Sequence, residues 1–243
     1  DSLQEEPFAV KHDLTGKAKV YASQVAQTDR SIGQILSRLE QLGIASNTLV
    51  IFASDNGFGG NHNAELFNSN GPFRDRKGSL YEGGTRSPMI ARWPERIAAG
   101  TTSGFVSAFW DFMPTFAELT GQAIPQQTTG VSLLPVLRGA SKSPRPDTAP
   151  IYFEWSRIDK AGQSIRVGDW KLIRWLNKSE PVLELFNHAE DESETSNIAE
   201  ANPARVAQLL GMIEEQHHLN EHFPMPHIDP GGDAKRSKPR NKK

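Results

Sequence analysis

Apolar residues recur at three- and four-residue steps from residue 17 to residue 42, which predicts a long amphipathic helix. The apolar positions are Tyr21, Val25, Thr28, Ile32, Ile35, Leu36, Leu39 and Leu42. Gly43 follows and is typical of a helix end. The pattern then changes to an unbroken apolar run at residues 48–54, as in a strand that is buried on both faces of a parallel sheet. A helix followed by such a strand predicts an α/β domain.

Further along, residues 88–94 predict a second strand, and residues 109–120 predict a helix. Residues 139–149 are rich in Ser, Lys and Pro and predict a linker. They include Ser141-Lys-Ser-Pro-Arg145, which we assign to the linker as well. We therefore predict one domain over residues 1–138, followed by the linker.

The last third of the chain has a different pattern. Four short apolar or alternating runs, at residues 151–155, 164–167, 170–175 and 181–186, predict an antiparallel sheet. Gly168-Asp169 lies between two of these runs and indicates a hairpin. Residues 203–219 predict a helix with one apolar face. We therefore predict an α+β subdomain over residues 150–222, and a disordered basic tail over residues 223–243.

The composition excludes several classes of protein. The 243 residues are 37% hydrophobic and 23% charged, with a net charge of −2, as in an ordinary globular protein. No basic stripe indicates a nucleic-acid partner. No apolar stretch is long enough to span a membrane. The chain has no cysteine, which excludes disulfides and thiolate metal sites.

The apolar run at residues 48–54 ends in Ser54-Asp-Asn-Gly57. In open α/β sheets, ligands bind beyond the carboxyl ends of the strands, so Asp55 and Asn56 are candidate site residues. A carboxylate and an amide carbonyl are hard oxygen donors that suit Ca²⁺ or Mg²⁺. The alternative is a simple Asp-Asn-Gly turn without a ligand.

A glycine-rich loop about twenty residues further on carries Lys77 close to Arg74 and Arg76. A lysine ammonium suits a tetrahedral oxyanion such as sulfate or phosphate. The long segment before it, at residues 58–76, is rich in Asn and Gly. Its His62 is a candidate for contact with substrate, and a turn-forming role is the alternative.

Together, Ser54-Asp-Asn-Gly57 and the run from Lys77 to Pro88, Lys-Gly-Ser-Leu-Tyr-Glu-Gly-Gly-Thr-Arg-Ser-Pro, resemble the C-terminal half of the sulfatase family. Glu184-Leu-Phe-Asn187 and Glu194-Thr-Ser-Asn-Ile198 resemble the end of that family. The resemblance implies an alkaline-phosphatase-like α/β sandwich with a mainly parallel sheet, followed by a small C-terminal α+β subdomain with an antiparallel sheet.

The resemblance also implies roles for individual residues. Asp55 and Asn56 would bind Ca²⁺, with Mg²⁺ as the alternative, and Lys77 would contact the sulfate and act in catalysis. The nucleophile of the family is a formylglycine made from a Cys or Ser in a Cys/Ser-x-Pro-x-Arg motif, which this chain lacks. We therefore expect the formylglycine in an N-terminal half of the same protein, which would be the partner of this chain. Family resemblance favours a periplasmic or extracellular location.

These observations predict a sulfuric ester hydrolase acting on a sulfated carbohydrate or an aryl sulfate, with half of its active site in this chain. We expect the chain to be inactive when it is isolated. Two alternatives remain open at this point. One is a phosphate mono- or diester hydrolase of the same superfamily, and the other is a non-catalytic protein that binds a cation or a sulfated glycan.

Overall fold

The computed structural model describes residues 14–59, 64–157, 160–177 and 179–233. In chain order the elements are α1 (Gly16–Gln41), a 3-10 turn (Ala45–Asn47), β1 (Val50–Ala53), α2 (Ala64–Phe67), α3 (Glu82–Thr85), β2 (Met89–Arg92), a 3-10 turn (Phe109–Asp111), α4 (Phe112–Leu119), α5 (Leu134–Leu137), β3 (Ile151–Ser156), β4 (Ala161–Val167), β5 (Trp170–Trp175), β6 (Val182–Asn187) and α6 (Pro203–Gln216). No helix in the described part of the chain is long and apolar enough to cross a bilayer.

The chain divides into two compact units that interleave along the sequence. Unit 1 consists of Asp1–Asp55, Gly59–Ser69 and Ser87–Pro146. Unit 2 consists of Asn56–Phe58, Asn70–Arg86 and Asp147–Lys243. The glycine-rich loop that carries Lys77 therefore groups with the C-terminal sheet, although the sequence pattern placed it in the larger N-terminal domain.

Unit 1 contains the long helix α1 and a strand pair. Gly43 follows α1 with a φ of 67°, a left-handed conformation that favours glycine. Strand β1 pairs with β2 in antiparallel register, with Phe52 opposite Ile90. The side of this pair that carries Phe52 and Ile90 is open, since these residues are 38% and 64% exposed. The predicted burial of β1 on both faces is therefore wrong for the described residues.

Unit 1 also contains a buried ion pair. Arg145 Nη2 lies 2.6 Å from Asp111 Oδ1, and the side chains are 7% and 0% exposed. The other oxygen of Asp111 accepts a hydrogen bond from the Ala108 N–H, at the start of the 3-10 turn before α4. Arg145 was assigned to an open linker from its Pro-rich surroundings. The structure corrects this, because the guanidinium is an internal partner of Asp111.

Unit 2 is built on a four-stranded sheet of order β3-β4-β5-β6, in which every neighbouring pair is antiparallel. Val167 is opposite Trp170, so Gly168 and Asp169 form a two-residue turn between β4 and β5. Gly168 has a φ of 59°, as such turns require. The hairpin predicted from Gly168-Asp169 is confirmed.

The two faces of this sheet are covered by different segments. One face packs on α6 through an aliphatic core formed by Ile165, Leu172, Leu185, Val206, Leu209 and Ile213. The other face packs on the loop after Lys77 through an aromatic core formed by Leu80, Tyr81, Ile173, Trp175 and Phe186. Side chains alternate along β5, so Leu172 packs on α6 while Ile173 and Trp175 pack on the loop that carries Lys77. The loop of the candidate site is therefore attached to the sheet.

The end of unit 2 corrects the predicted tail. Met225 is 1% exposed and packs with Ala161 and Leu176. The Met225 N–H donates to Asp229 Oδ2 at 2.6 Å. Residues 223–233 are therefore ordered against the sheet rather than forming the start of a disordered tail. Residues 234–243 lie outside the described residues.

Candidate active site

Two backbone hydrogen bonds join the segment Asn56–Phe58 to the glycine-rich loop. The Gly57 N–H donates to the Gly84 carbonyl at 3.0 Å, and the Lys77 N–H donates to the Phe58 carbonyl at 3.0 Å. Both segments belong to unit 2. Two motifs that lie about twenty residues apart in the sequence are therefore held side by side, with Asn56 and Lys77 on adjoining stretches of backbone.

The glycines of this site allow backbones to meet where no side chain fits. A Cβ on Gly57 would lie 1.8 Å from the Gly83 carbonyl oxygen. A Cβ on Gly83 would lie 2.3 Å from the Arg74 carbonyl oxygen, and one on Gly84 would lie 2.3 Å from that of Ser79. The Gly83-Gly84 pair in α3 is thus packed directly against the backbone on both sides of Lys77.

The candidate side chains differ in their surroundings. Lys77 and Asp55 are exposed, and neither side chain forms a hydrogen bond or ion pair with the rest of the described chain. Asn56 is half-buried, and its Nδ2 donates to the Gly57 carbonyl at 3.1 Å. Asp55 closes the first segment of unit 1, whereas Asn56 opens unit 2. His62 lies outside the described residues.

Glu82, at the start of α3, is the centre of a buried ion cluster. Its carboxylate lies 2.9 Å from Lys171 Nζ, 2.9 Å from Arg86 Nε and 3.3 Å from Arg166 Nη1. Its own N–H donates to Glu194 Oε2 at 2.6 Å. Burial alone would raise the pKa of Glu82, but the Lys171 ammonium and the other positive charges lower it to about 2.

Glu194 connects this cluster to the beginning of the loop. Its Oε1 lies 2.8 Å from Lys171 Nζ and 3.3 Å from His188 Nε2. Its backbone carbonyl accepts a hydrogen bond from Arg74 Nη1 at 2.9 Å. Glu194 has a left-handed φ of 55° and is fully buried. Such a conformation costs energy for a residue other than glycine, so the surrounding contacts hold it in place.

The same cluster offers a set of metal-ligating atoms. One ligand atom each of Glu82, His188 and Glu194 lie within 4.8 Å of one another. However, Lys171 Nζ is within 2.9 Å of both carboxylates. The ammonium therefore already supplies the positive charge that a cation would bring, and a metal ion beside it would meet direct repulsion. The geometry of the cluster therefore suits the buried Lys171 ammonium better than it suits a metal ion.

Tyr81 and Arg86 make structural contacts within unit 2. Tyr81 packs against Trp175 and Phe186, and its hydroxyl donates to Glu184 Oε2 at 2.5 Å. The Arg86 side chain binds the Glu82 carboxylate and lies over the Phe73 ring, 4.2 Å from the centroid.

Lys171, Glu194 and Arg166 were missed by the sequence reading. Lys171 is separated from Glu82 by 89 positions, and Glu194 by 112, so no local spacing connects them. One signal was present for Lys171. It alternates with Ile173 and Trp175 on the aromatic face of β5, and a lysine on an apolar strand face needs a buried partner.

Comparison with known proteins supports the resemblance seen in the motifs. Residues 4–122 match the family described as Sulfatase. Residues 71–220 match the family described as N-sulphoglucosamine sulphohydrolase, C-terminal. The N-acetylglucosamine-6-O-sulfatase of Bacteroides thetaiotaomicron is 32% identical over 222 residues, which are 84% of this chain and 38% of that protein.

Solved structures agree with this. Ps i-CgsB in complex with k-i-k-neocarrahexaose has a TM-score of 0.74 and 29% identity, over 88% of this chain and 47% of that one. A protein described in complex with its substrate D-Glucosamine-2-N, 6-O-disulfate has a TM-score of 0.66 and 31% identity, over 84% of this chain and 43% of that one.

The chain spans less than half the length of each of these three proteins. The N-sulphoglucosamine sulphohydrolase match alone covers more than half of the chain, and it contains both the loop of Lys77 and the four-stranded sheet. By this match and by its structural neighbours, the chain belongs to the sulfatase family, within the alkaline-phosphatase-like superfamily.

Proposed function

We propose that this chain is part of a hydrolase that cleaves sulfate esters of carbohydrates. The observation that carries the proposal is the pair of backbone hydrogen bonds, from Gly57 and Lys77, that holds Asn56 beside the Lys77 loop in a member of the sulfatase family. Two similar proteins support a carbohydrate substrate by name, one an N-acetylglucosamine-6-O-sulfatase and the other bound to a glucosamine disulfate.

In this proposal Asp55 and Asn56 bind a divalent cation, with Ca²⁺ preferred over Mg²⁺. One carboxylate oxygen and one amide oxygen are the hard donors that these ions take in proteins. The Asp55 side chain is exposed and has no side-chain partner in the described chain, so its carboxylate is accessible to a cation. When bound, the cation would supply Lewis-acid stabilisation of a sulfate oxygen.

Lys77 binds the sulfate in this proposal. Its ammonium is exposed and has no carboxylate partner in the part of the chain that the structure describes. Its backbone, in contrast, is fixed by the bond to the Phe58 carbonyl. A positive charge on a fixed backbone can stabilise the negative charge that develops on oxygen as the ester bond breaks. His62 stays a prediction as a second substrate contact.

The nucleophile would come from outside this chain. The 243 residues have no cysteine, and no serine in the Ser-x-Pro-x-Arg arrangement. Asp55, Asn56 and Lys77 together provide a carboxylate, an amide and an ammonium, and none of them is an activated nucleophile. We therefore expect the isolated chain to release no sulfate from a sulfated sugar, and the formylglycine to be found elsewhere in the gene product.

The decisive experiment uses the gene product that contains this chain. Release of inorganic sulfate from N-acetylglucosamine-6-sulfate is measured beside release of phosphate from the matching phosphate ester. We expect sulfate release to dominate. Lys77→Ala should lower turnover about 100-fold or more, as expected when one charge contact to the transition state is removed. Lys142→Ala, at an exposed position of unit 1, should leave turnover unchanged.

The metal is tested separately by elemental analysis. Asp55→Ala should lose bound Ca²⁺ while the protein stays folded, and Asp29→Ala, at an exposed residue of α1, should retain it. Full calcium in Asp55→Ala would contradict the assigned ligands. Near-normal turnover by Lys77→Ala would contradict its role in catalysis, and faster phosphate release would favour the phosphoesterase alternative.

A further inference from the structure

The Lys77 loop has little secondary structure, and its apolar anchors on the sheet are Leu80 and Tyr81. Between residues 74 and 86 it contains only the short helix α3, and its backbone is closed by the Gly83 N–H donating to the Arg74 carbonyl at 2.9 Å. The glycines of α3 lie directly against the residues that flank Lys77. The position of α3 therefore determines where the Lys77 backbone lies.

What holds α3 is the buried ion cluster. Lys171, on the inner strand β5, reaches Glu82 at 2.9 Å and Glu194 at 2.8 Å. Glu194 in turn binds both ends of the loop, since its carboxylate accepts the Glu82 N–H and its carbonyl accepts Arg74 Nη1. Lys171 is 3% exposed and Glu194 is 0% exposed. These contacts are therefore buried away from solvent.

We propose that Lys171 and Glu194 are positioning residues that place the Lys77 ammonium for sulfate binding, by fixing the two ends of its loop on the C-terminal sheet. This inference rests on the proposed role of Lys77. Neither residue lies in the glycine-rich motif, and neither forms a hydrogen bond or ion pair with the candidate side chains Asp55, Asn56 or Lys77. They act through Glu82 and Arg74.

Two substitutions test this in the gene product that contains the chain. Lys171→Met keeps the length of the side chain but removes the ammonium that joins Glu82 to Glu194, while Arg86 and Arg166 stay beside Glu82. Glu194→Gln keeps the volume but has only one acceptor oxygen, so it must lose either the Glu82 N–H or the Lys171 contact. Lys142→Met is the matched control at an exposed lysine.

The first readout is amide hydrogen exchange, which does not depend on activity. For Lys171→Met and Glu194→Gln we expect exchange at least tenfold faster in peptides that cover residues 74–86. Peptides from α6 should keep their protection, because the aliphatic core on the other face of the sheet is untouched. Lys171→Arg, which keeps a positive charge able to bind both carboxylates, should restore much of the protection.

The second readout is turnover of the sulfated sugar. A displaced loop should lower kcat/KM about 100-fold, as misplacement of a catalytic group by about 1 Å can do. If the wild-type gene product releases no sulfate, the proposed function fails, and hydrogen exchange still decides the positioning role. If Lys171→Met does not fold, hydrogen exchange and turnover are measured on Glu194→Gln instead.

Two results would overturn the inference. One is unchanged exchange of residues 74–86 in a folded Lys171→Met protein. The other is a stoichiometric metal ion that is bound in the wild type and lost in His188→Ala, because the cluster would then be a metal site and Lys171 only its neighbour. Faster exchange confined to residues 74–86, with no metal bound at the cluster, would support the positioning role.

Discussion

The two units of this chain bury their apolar residues to very different extents. In unit 2, the sheet is covered on both faces, and Ile165, Leu172 and Leu185 are fully buried. In unit 1, apolar residues of the strand pair and of α1 stay open, with Ile90 64% exposed and Ile35 57% exposed. The C-terminal sheet therefore provides a fully packed surface on which a loop can be fixed. The strand pair of unit 1 has an apolar side that no described residue covers.

The strongest challenge to this comparison is the buried ion pair of unit 1. Arg145→Met should destabilise the chain by about 3–5 kcal/mol, because it leaves the fully buried Asp111 without its cation. Arg92→Met removes an exposed pair with Glu40 and should cost about 0–1 kcal/mol. Urea unfolding of both variants measures the difference. Equal costs would mean that unit 1 has no tightly packed region at Asp111.

A pair of isoleucines tests the comparison directly. Ile165→Ala empties a fully buried position on β4 and should cost about 2–5 kcal/mol. Ile90→Ala, on the open side of β2, should change the free energy of unfolding by about 0.5 kcal/mol or less. The measurement is again urea unfolding of the chain. A large cost at Ile90 would show that this side of the strand pair is covered in solution.

The open side of unit 1 should also make the isolated chain self-associate. Phe52 and Ile90 are directly opposite each other and both exposed, and exposed apolar strand surface favours association. The double substitution Phe52→Thr and Ile90→Thr should lower the associated fraction in sedimentation experiments. Phe223→Thr, at a single apolar residue of unit 2, should not. A chain that is monomeric before any substitution would contradict this expectation.

The smallest effect is expected at the end of unit 2. Burial alone lowers the pKa of His217, but its bonds to Glu154 and Asp229, at 2.5 and 2.8 Å, raise it above 6.5. A raised pKa in the folded state means that the stabilisation is complete below pH 6.5 and is lost as the pH rises through the raised value.

We therefore expect a small fall in Tm as the pH is raised from 6 to above the folded pKa of His217. His217→Gln should abolish this component of the pH dependence, and His218→Gln, at the exposed neighbour, should retain it. The change should be accompanied by faster amide exchange in residues 223–229, which His217 ties to the sheet through Asp229. The same profile in His217→Gln as in the wild type would refute the assignment.

Periodicity predicted most of the local structure. The helix expected over residues 17–42 is α1, Gly16–Gln41, and the four predicted C-terminal runs are β3 to β6. These predictions hold because the periodic pattern of a helix or a strand depends on residues that are close in the sequence. The motifs at Asp55 and Lys77 were likewise read from local sequence, and the structure joins the backbones of Asn56–Phe58 and the Lys77 loop.

Contacts between distant polar residues could not be predicted in this way. Arg145 sits among prolines that suggest a linker, and only the fold brings Asp111 to it. Glu194 belongs to a segment recognised only by its resemblance to the end of the family, and no local pattern connects it to Lys171 on β5. Packing of Tyr81 on the sheet likewise depends on tertiary contacts, so the grouping of the Lys77 loop with the C-terminal unit was missed.

The two backbone bonds that join Asn56–Phe58 to the Lys77 loop also bear on how this protein can diverge. One hydrogen bond, from the Lys77 N–H to the Phe58 carbonyl, joins the two ends of the segment between these residues. This bond does not fix the number of residues in the segment. Doubling the length of a flexible connection costs only about 0.6 kcal/mol in closure entropy. Insertions ahead of Arg74 are compatible with Asn56 and Lys77 staying in register. Insertions between Arg74 and Gly84 are not, because there the backbones are in contact.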